Sequence, residues 1–129
     1  MEEKKIQHIS QIPGIKIAEV YSSSVVVYGG NEGGGNSIRI AITLYDITGN
    51  IAAFLKFYSD ESKIEKDCFK DGFIYVNLPL VSYHAVLTTV RSPLRVQVVF
   101  NPAKESAMLL EMCEPKIMPA PPVDSKKVN

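Results

Sequence analysis

Ile38-Arg39-Ile40-Ala41-Ile42-Thr43-Leu44-Tyr45, then Asp46-Ile47-Thr48-Gly49-Asn50, then Ile51-Ala52-Ala53-Phe54-Leu55-Lys56-Phe57, is the stretch that decides the fold. Ile38, Ile40, Ile42 and Leu44 recur with period two, which puts them on one side of a half-buried strand. The Asp-Ile-Thr-Gly-Asn segment supplies turn chemistry, since Gly and Asn tolerate positive φ. Ile51, Ala53, Leu55 and Phe57 resume the alternation. The three pieces read as an antiparallel hairpin.

The same period recurs on both sides of this hairpin. Leu94, Val96, Val98 and Phe100 alternate with Arg95, Gln97 and Val99. Asn101-Pro102-Ala103-Lys104-Glu105-Ser106 then turns the chain into a return strand over residues 107–113. Upstream, residues 15–21 and 23–29 read as one long bent strand or two short ones, with Ser22-Ser23-Ser24 at the bend. Residues 73–78, rich in aromatic and β-branched side chains, give another strand. Residues 60–68 are charged and suit a single helical turn.

One segment breaks the period. Leu80, Tyr83, Val86, Leu87 and Val90 fall on one helical stripe, which predicts a helix of about three turns near residues 80–91. Pro79 suits its first turn, Ser82 is an alternative N-cap, and Ser92-Pro93 stops it. A strand is the rival, because Val86, Thr88, Thr89 and Val90 are β-branched. The expected fold is α+β: a mainly antiparallel small barrel or sandwich with one amphipathic helix packed on it.

The chain has 129 residues, of which 46% are apolar, with 14 basic and 14 acidic side chains and two cysteines. That apolar share and length fit one globular domain. Residues 1–11 read as a polar, flexible arm, 12–114 as the single β-rich domain, and 115–129 as a proline-rich disordered tail. The first residues contain no apolar run of the roughly 7–15 residues that a secretory signal needs. No stretch is long enough to span a bilayer as a helix. Two thiols make a poor disulfide framework for this size, so the expected compartment is the cytoplasm. Cys68 and Cys113 read as small buried hydrophobes.

Charge neutrality removes the general electrostatic argument for nucleic acid, so no nucleic-acid partner and no membrane is expected. The run Gly29-Gly30-Asn31-Glu32-Gly33-Gly34-Gly35-Asn36 lacks the Lys-Ser/Thr and the following helix that a phosphate loop requires, and reads as a hairpin loop. His8 and His84 are the only histidines, and there is no Gly-x-Ser-x-Gly elbow. Without Cys-x-x-Cys or His-x-x-x-His no metal site is expected. The acids of residues 60–71 are interleaved with Lys63, Lys66 and Lys70, as on a solvated face. Glu19 and Glu111 are the acids set inside strands. No catalytic residue and no cofactor is assigned. Pro119 and Pro122 give one Pro-x-x-Pro spacing in the tail.

Tyr45, Phe54 and Tyr58 fall on the face expected to point outward. In 107–113, Met108, Leu110 and Met112 share one side while Leu109 takes the other, so this strand is apolar on both faces. Such a strand is central in a sheet or covered by another chain. These six residues are the expected interface, and a homodimer or a protein partner is the expected assembly. The functional reading is a non-catalytic binding or assembly module acting through protein–protein contacts. The alternative is a small-ligand-binding barrel or small enzyme, with Tyr83, His84 and Glu111 lining a pocket between sheet and helix.

Overall fold

The computed structural model describes residues 13–29 and 37–116. The arm 1–11, most of the Gly-rich run, and the tail beyond Lys116 lie outside the described residues, and with them His8 and the Pro119/Pro122 pair. The described residues form eight strands: β1 (Lys16–Val20), β2 (Ser22–Val27), β3 (Ile38–Tyr45), β4 (Ile51–Tyr58), β5 (Cys68–Lys70), β6 (Phe73–Pro79), β7 (Leu94–Asn101) and β8 (Ser106–Pro115). The one α-helix, α1 (Tyr83–Val90), lies between β6 and β7. No described helix is long and apolar enough to cross a membrane.

The strands make two sheets, ordered β1-β7-β8 and β2-β3-β4-β6-β5. Of the two readings of residues 15–29, two short strands is the one that forms, and the bend falls at Tyr21, one residue before the expected Ser22-Ser23-Ser24. After Tyr21 the chain leaves the first sheet and joins the second. The 38–57 hairpin forms as its sequence predicts. Asp46 holds the turn, its Oδ1 accepting from the Thr48 backbone at 2.9 Å, the Thr48 hydroxyl at 2.7 Å and the Asn50 backbone at 3.0 Å. Gly49 supplies the required positive φ of 89°.

The pairing of β4 with β6 is parallel, whereas the other pairs are antiparallel. From β4 the chain passes through a 3-10 turn (Glu61–Lys63) to the sheet edge at β5 and returns as β6 between β5 and β4. That excursion supplies the connection of roughly a dozen residues that a parallel pair needs.

Val20, Val96, Val98 and Phe100 of the three-stranded sheet share one core with Ile42, Leu44, Leu55, Phe57, Ile74 and Val76 of the five-stranded sheet. The helical stripe closes this core. Leu80, Tyr83, Val86 and Leu87 pack against it, and Val90 is buried in it. The predicted three turns resolve into a 3-10 turn (Leu80–Ser82) followed by α1. Ser82 precedes α1 but its hydroxyl makes no cap bond. Ser92 ends the segment, its Oγ accepting from the Leu94 backbone at 3.0 Å.

The strands do not close into a barrel. β5 pairs with β6 only along residues 73–75. Beyond it the Asp67 carboxylate takes the place of a strand, with Oδ1 accepting from the Asn77 backbone at 2.6 Å and Oδ2 from the Ala107 backbone at 2.8 Å. A side chain therefore bridges β6 and β8 where a closed barrel would have a backbone ladder. At the far end of β8, the Lys116 backbone N–H donates to Pro93 O at 2.8 Å, so ordered structure runs past residue 114.

Candidate functional site

The three residues expected to line a pocket are differently placed. Tyr83 turns into the core and meets Phe57 edge-on, with ring centroids 5.4 Å apart. His84 is exposed, 5.6 Å from the Tyr83 ring. Glu111 is exposed on β8, opposite Val96.

A cavity of about 120 Å³ lies elsewhere, where β1 gives way to β2. Glu19, Val20 and Tyr21 form one wall, and Ile47, Thr48 and Lys116 contribute to the rest. It is smaller than the roughly 300 Å³ at which organic-ligand pockets begin. Burial pushes the Lys116 amine below its usual range, and its Nζ donates to Val90 O at 3.4 Å. Glu19 accepts from Arg95 Nε at 2.8 Å, Arg95 Nη2 at 3.1 Å and Gln97 Nε2 at 3.1 Å. The Arg95 hydrogen bond is the main reason its carboxyl lies below the ordinary range, with Gln97 assisting against partial burial. A carboxylate held ionised in this way is a structural anion, not a proton-transfer group poised near neutrality. Arg95 also reaches Glu114 Oε1 at 2.7 Å, completing a three-member ionic group across β1, β7 and β8.

The outer face of the three-stranded sheet is apolar beside that group. In register, Ile17 stands opposite Val99, and Val99 opposite Met108. Gln97 stands between Glu19 and Leu110. Ile17 is 41% and Met108 49% exposed, while Leu110 and Met112 are half-buried. Met108, Leu110 and Met112 therefore share the outward side of β8, and Ala107 and Leu109 pack on the core, as the alternation predicts.

The outer face of the five-stranded sheet carries the aromatic side chains. Phe54 and Tyr75, paired across β4 and β6, stack with centroids 5.1 Å apart, and Phe73 meets Phe54 edge-on at 5.5 Å. Tyr45 is half-buried, its hydroxyl 3.0 Å from Ser24 Oγ. Tyr58 is a correction to the expected outward set. It is 1% exposed, and its hydroxyl donates to Asn77 Oδ1 at 2.8 Å. Both Phe57 and Tyr58 are buried, so alternation fails at the end of β4, where that hydrogen bond satisfies the phenol. Tyr75, Phe73 and Lys70 also belong to this aromatic face, although the sequence places Lys70 only in a solvated charged segment and does not group the three. Only the pairing of β6 with β4 brings them beside Phe54.

The cysteines are a second correction. Cys68 and Cys113 are both exposed free thiols. Cys68 opens a three-residue edge strand and Cys113 lies on the edge strand β8, so neither has a neighbouring strand on both sides to cover it. Among the described residues, no three His, Cys, Asp or Glu side chains group to hold a metal ion. No family model matches the chain, and no curated protein and no solved structure matches it either.

Proposed function

We propose that this protein is a non-catalytic assembly module, a two-layered sandwich that self-associates as a homodimer through the outer face of its three-stranded sheet. One observation carries the reading: Ile17, Met108, Leu110 and Met112 lie on one sheet face, the last three on a ten-residue edge strand paired on one side only. Grouped exposed apolar side chains on a sheet mark interaction surfaces, and an edge strand adds unpaired backbone groups to them. A two-fold contact places the same patch on both copies, which suits a surface without strong net charge at its centre. The ionic group Glu19–Arg95–Glu114 sits at the rim, where polar groups of interfaces belong. Two exposed thiols suit a reducing compartment, in keeping with work inside the cell.

Sedimentation equilibrium of the full chain tests this reading. A dimer mass at micromolar concentration is expected, reduced to the monomer by Leu110→Asp with the circular dichroism spectrum unchanged. A monomer mass for the unaltered chain overturns it.

A further inference from the structure

The charges of the chain cancel in sum but not by sheet. The strands of the three-stranded sheet hold Lys16, Glu19, Arg95, Glu111 and Glu114. The five strands of the other sheet hold Arg39, Lys56 and Lys70, and no acid. Arg39 has an interaction of its own, so the two lysines carry the argument. Lys56 Nζ lies 5.5 Å and Lys70 Nζ 5.7 Å from the centroid of the same ring, Tyr75. Among the described residues neither lysine forms an ion pair. Tyr75 in turn stacks on Phe54, and Phe54 meets Phe73. Two ammonium groups and three contiguous, half-buried aromatic rings thus share the outer face of this sheet, with the half-buried Thr43 and exposed Ser24 on the row that contains Phe54 and Tyr75.

We propose that this face binds a short single-stranded nucleic acid, with bases against Phe54, Phe73 and Tyr75 and backbone phosphates at Lys56 and Lys70. The chemistry is complementary on both counts. Ammonium groups resting on a ring are placed to accept a better anionic partner at small cost, since a cation–π contact at an exposed site is worth only about 0.5–1 kcal/mol. Aromatic rings on a sheet supply sequence-tolerant stacking for bases, which a purely acidic peptide cannot use. The chain's overall neutrality limits long-range attraction and non-specific affinity. It does not remove the local field of a face that has cations and no acid in its strands. This face lies on the other sheet from the proposed dimer surface, so the two readings stand or fall separately.

The test is fluorescence anisotropy of the full chain with a labelled twelve-residue oligothymidylate, at protein concentrations up to about 100 μM, the upper range of non-specific nucleic-acid binding. Saturable binding is expected, with a shallow salt slope of about −1.4, as two phosphate contacts on a single strand give. Lys56→Gln with Lys70→Gln, both at positions outside the core, should abolish that slope and most of the binding. Phe54→Ala should weaken binding at least about fivefold with the slope intact, the lower bound for losing one base-on-ring stack. Phe54→Leu, which keeps the apolar volume, should weaken it likewise if folding is a concern. Absence of saturation overturns the proposal. So does equal binding of an aspartate-rich peptide of the same charge, with Phe54→Leu without effect, since that pattern describes a simple polyanion site.

Discussion

Asp67 ties Ala107 to Asn77: one carboxylate accepts both backbone amides, at 2.8 Å and 2.6 Å, and so holds β8 of one sheet to β6 of the other. Asn77 extends the tie, donating from Nδ2 to Lys66 O at 3.0 Å and accepting from the Tyr58 hydroxyl. Removing the carboxylate with Asp67→Ala leaves two partly buried amides without acceptors. An unsatisfied buried donor costs about 1–3 kcal/mol, and water can reach part of this seam, so a net loss of about 2 kcal/mol is expected in urea unfolding. A midpoint unchanged within error would mean that the seam is held by apolar packing alone.

Asp67 and Glu19 should give pH dependences of opposite sign. Burial raises the Asp67 carboxyl above its ordinary 3.8, against the pull of its two amide hydrogen bonds. A raised acid contributes stability that is complete below its ordinary pKa and is lost as pH rises through the folded value. Glu19 is lowered from 4.5, chiefly by the Arg95 hydrogen bond, so its contribution is present above 4.5 and is lost as pH falls through the folded value. Unfolding free energies between about pH 3 and 7 check both signs. The advantage of the unaltered chain over Glu19→Gln should shrink on acidification. Its stability relative to Asp67→Asn should fall as pH rises.

The sequence was legible where burial alone sets the pattern. Ile42 and Leu44, Leu55 and Phe57, Val96 and Val98 lie inward because alternation admits no other register once one face is covered. The stripe Leu80–Tyr83–Val86–Leu87–Val90 gives the helix against the strand that Val86, Thr88, Thr89 and Val90 would also suit, but it does not tell the opening 3-10 turn from the α-helix that follows. What stayed hidden depends on which strands become neighbours. Parallel and antiparallel strands share the same alternation, so nothing in residues 73–79 announces β4 as their partner, and the aromatic cluster of Phe54, Tyr75 and Phe73 could not be assembled beforehand. Tyr58 was misplaced because its burial depends on Asn77, 19 positions away. The cysteines were misplaced because a small hydrophobe's usual burial gives way on an edge strand. Alternation places Arg95 on the outer side of its strand but not its partners, Glu19 and Glu114, which lie 76 and 19 positions away in sequence.

The shared core should respond to truncation as a single cooperative unit. Leu55 is fully buried between the sheets. Leu55→Ala removes that side chain from the centre, and a loss of about 2–5 kcal/mol is expected. Val81→Ala, at the 83% exposed position in the turn before α1, should stay within about 0.5 kcal/mol. Chemical unfolding followed at two wavelengths checks both values, and coincident transitions would indicate that the two sheets unfold together.

Exposure of Cys68 and Cys113 predicts that a thiol reagent modifies two groups in the folded protein without denaturant. Neither thiol needs the fold to open first, so the rate should be insensitive to stabilising salts such as sulfate, which suppress unfolding. Their positions also separate the two proposed surfaces. Cys68 stands opposite Tyr75 on the aromatic face, whereas Cys113 follows Met112 on β8. If the homodimer forms through the late strand, Cys113 should be modified more slowly at concentrations where the dimer predominates, and Leu110→Asp should restore its rate. Bound oligothymidylate should slow Cys68 and leave Cys113 unchanged. Mass spectrometry of peptides after timed labelling reads the two rates independently. A reversal, with Cys68 protected by protein concentration and Cys113 by the oligonucleotide, would exchange the roles assigned to the two sheets.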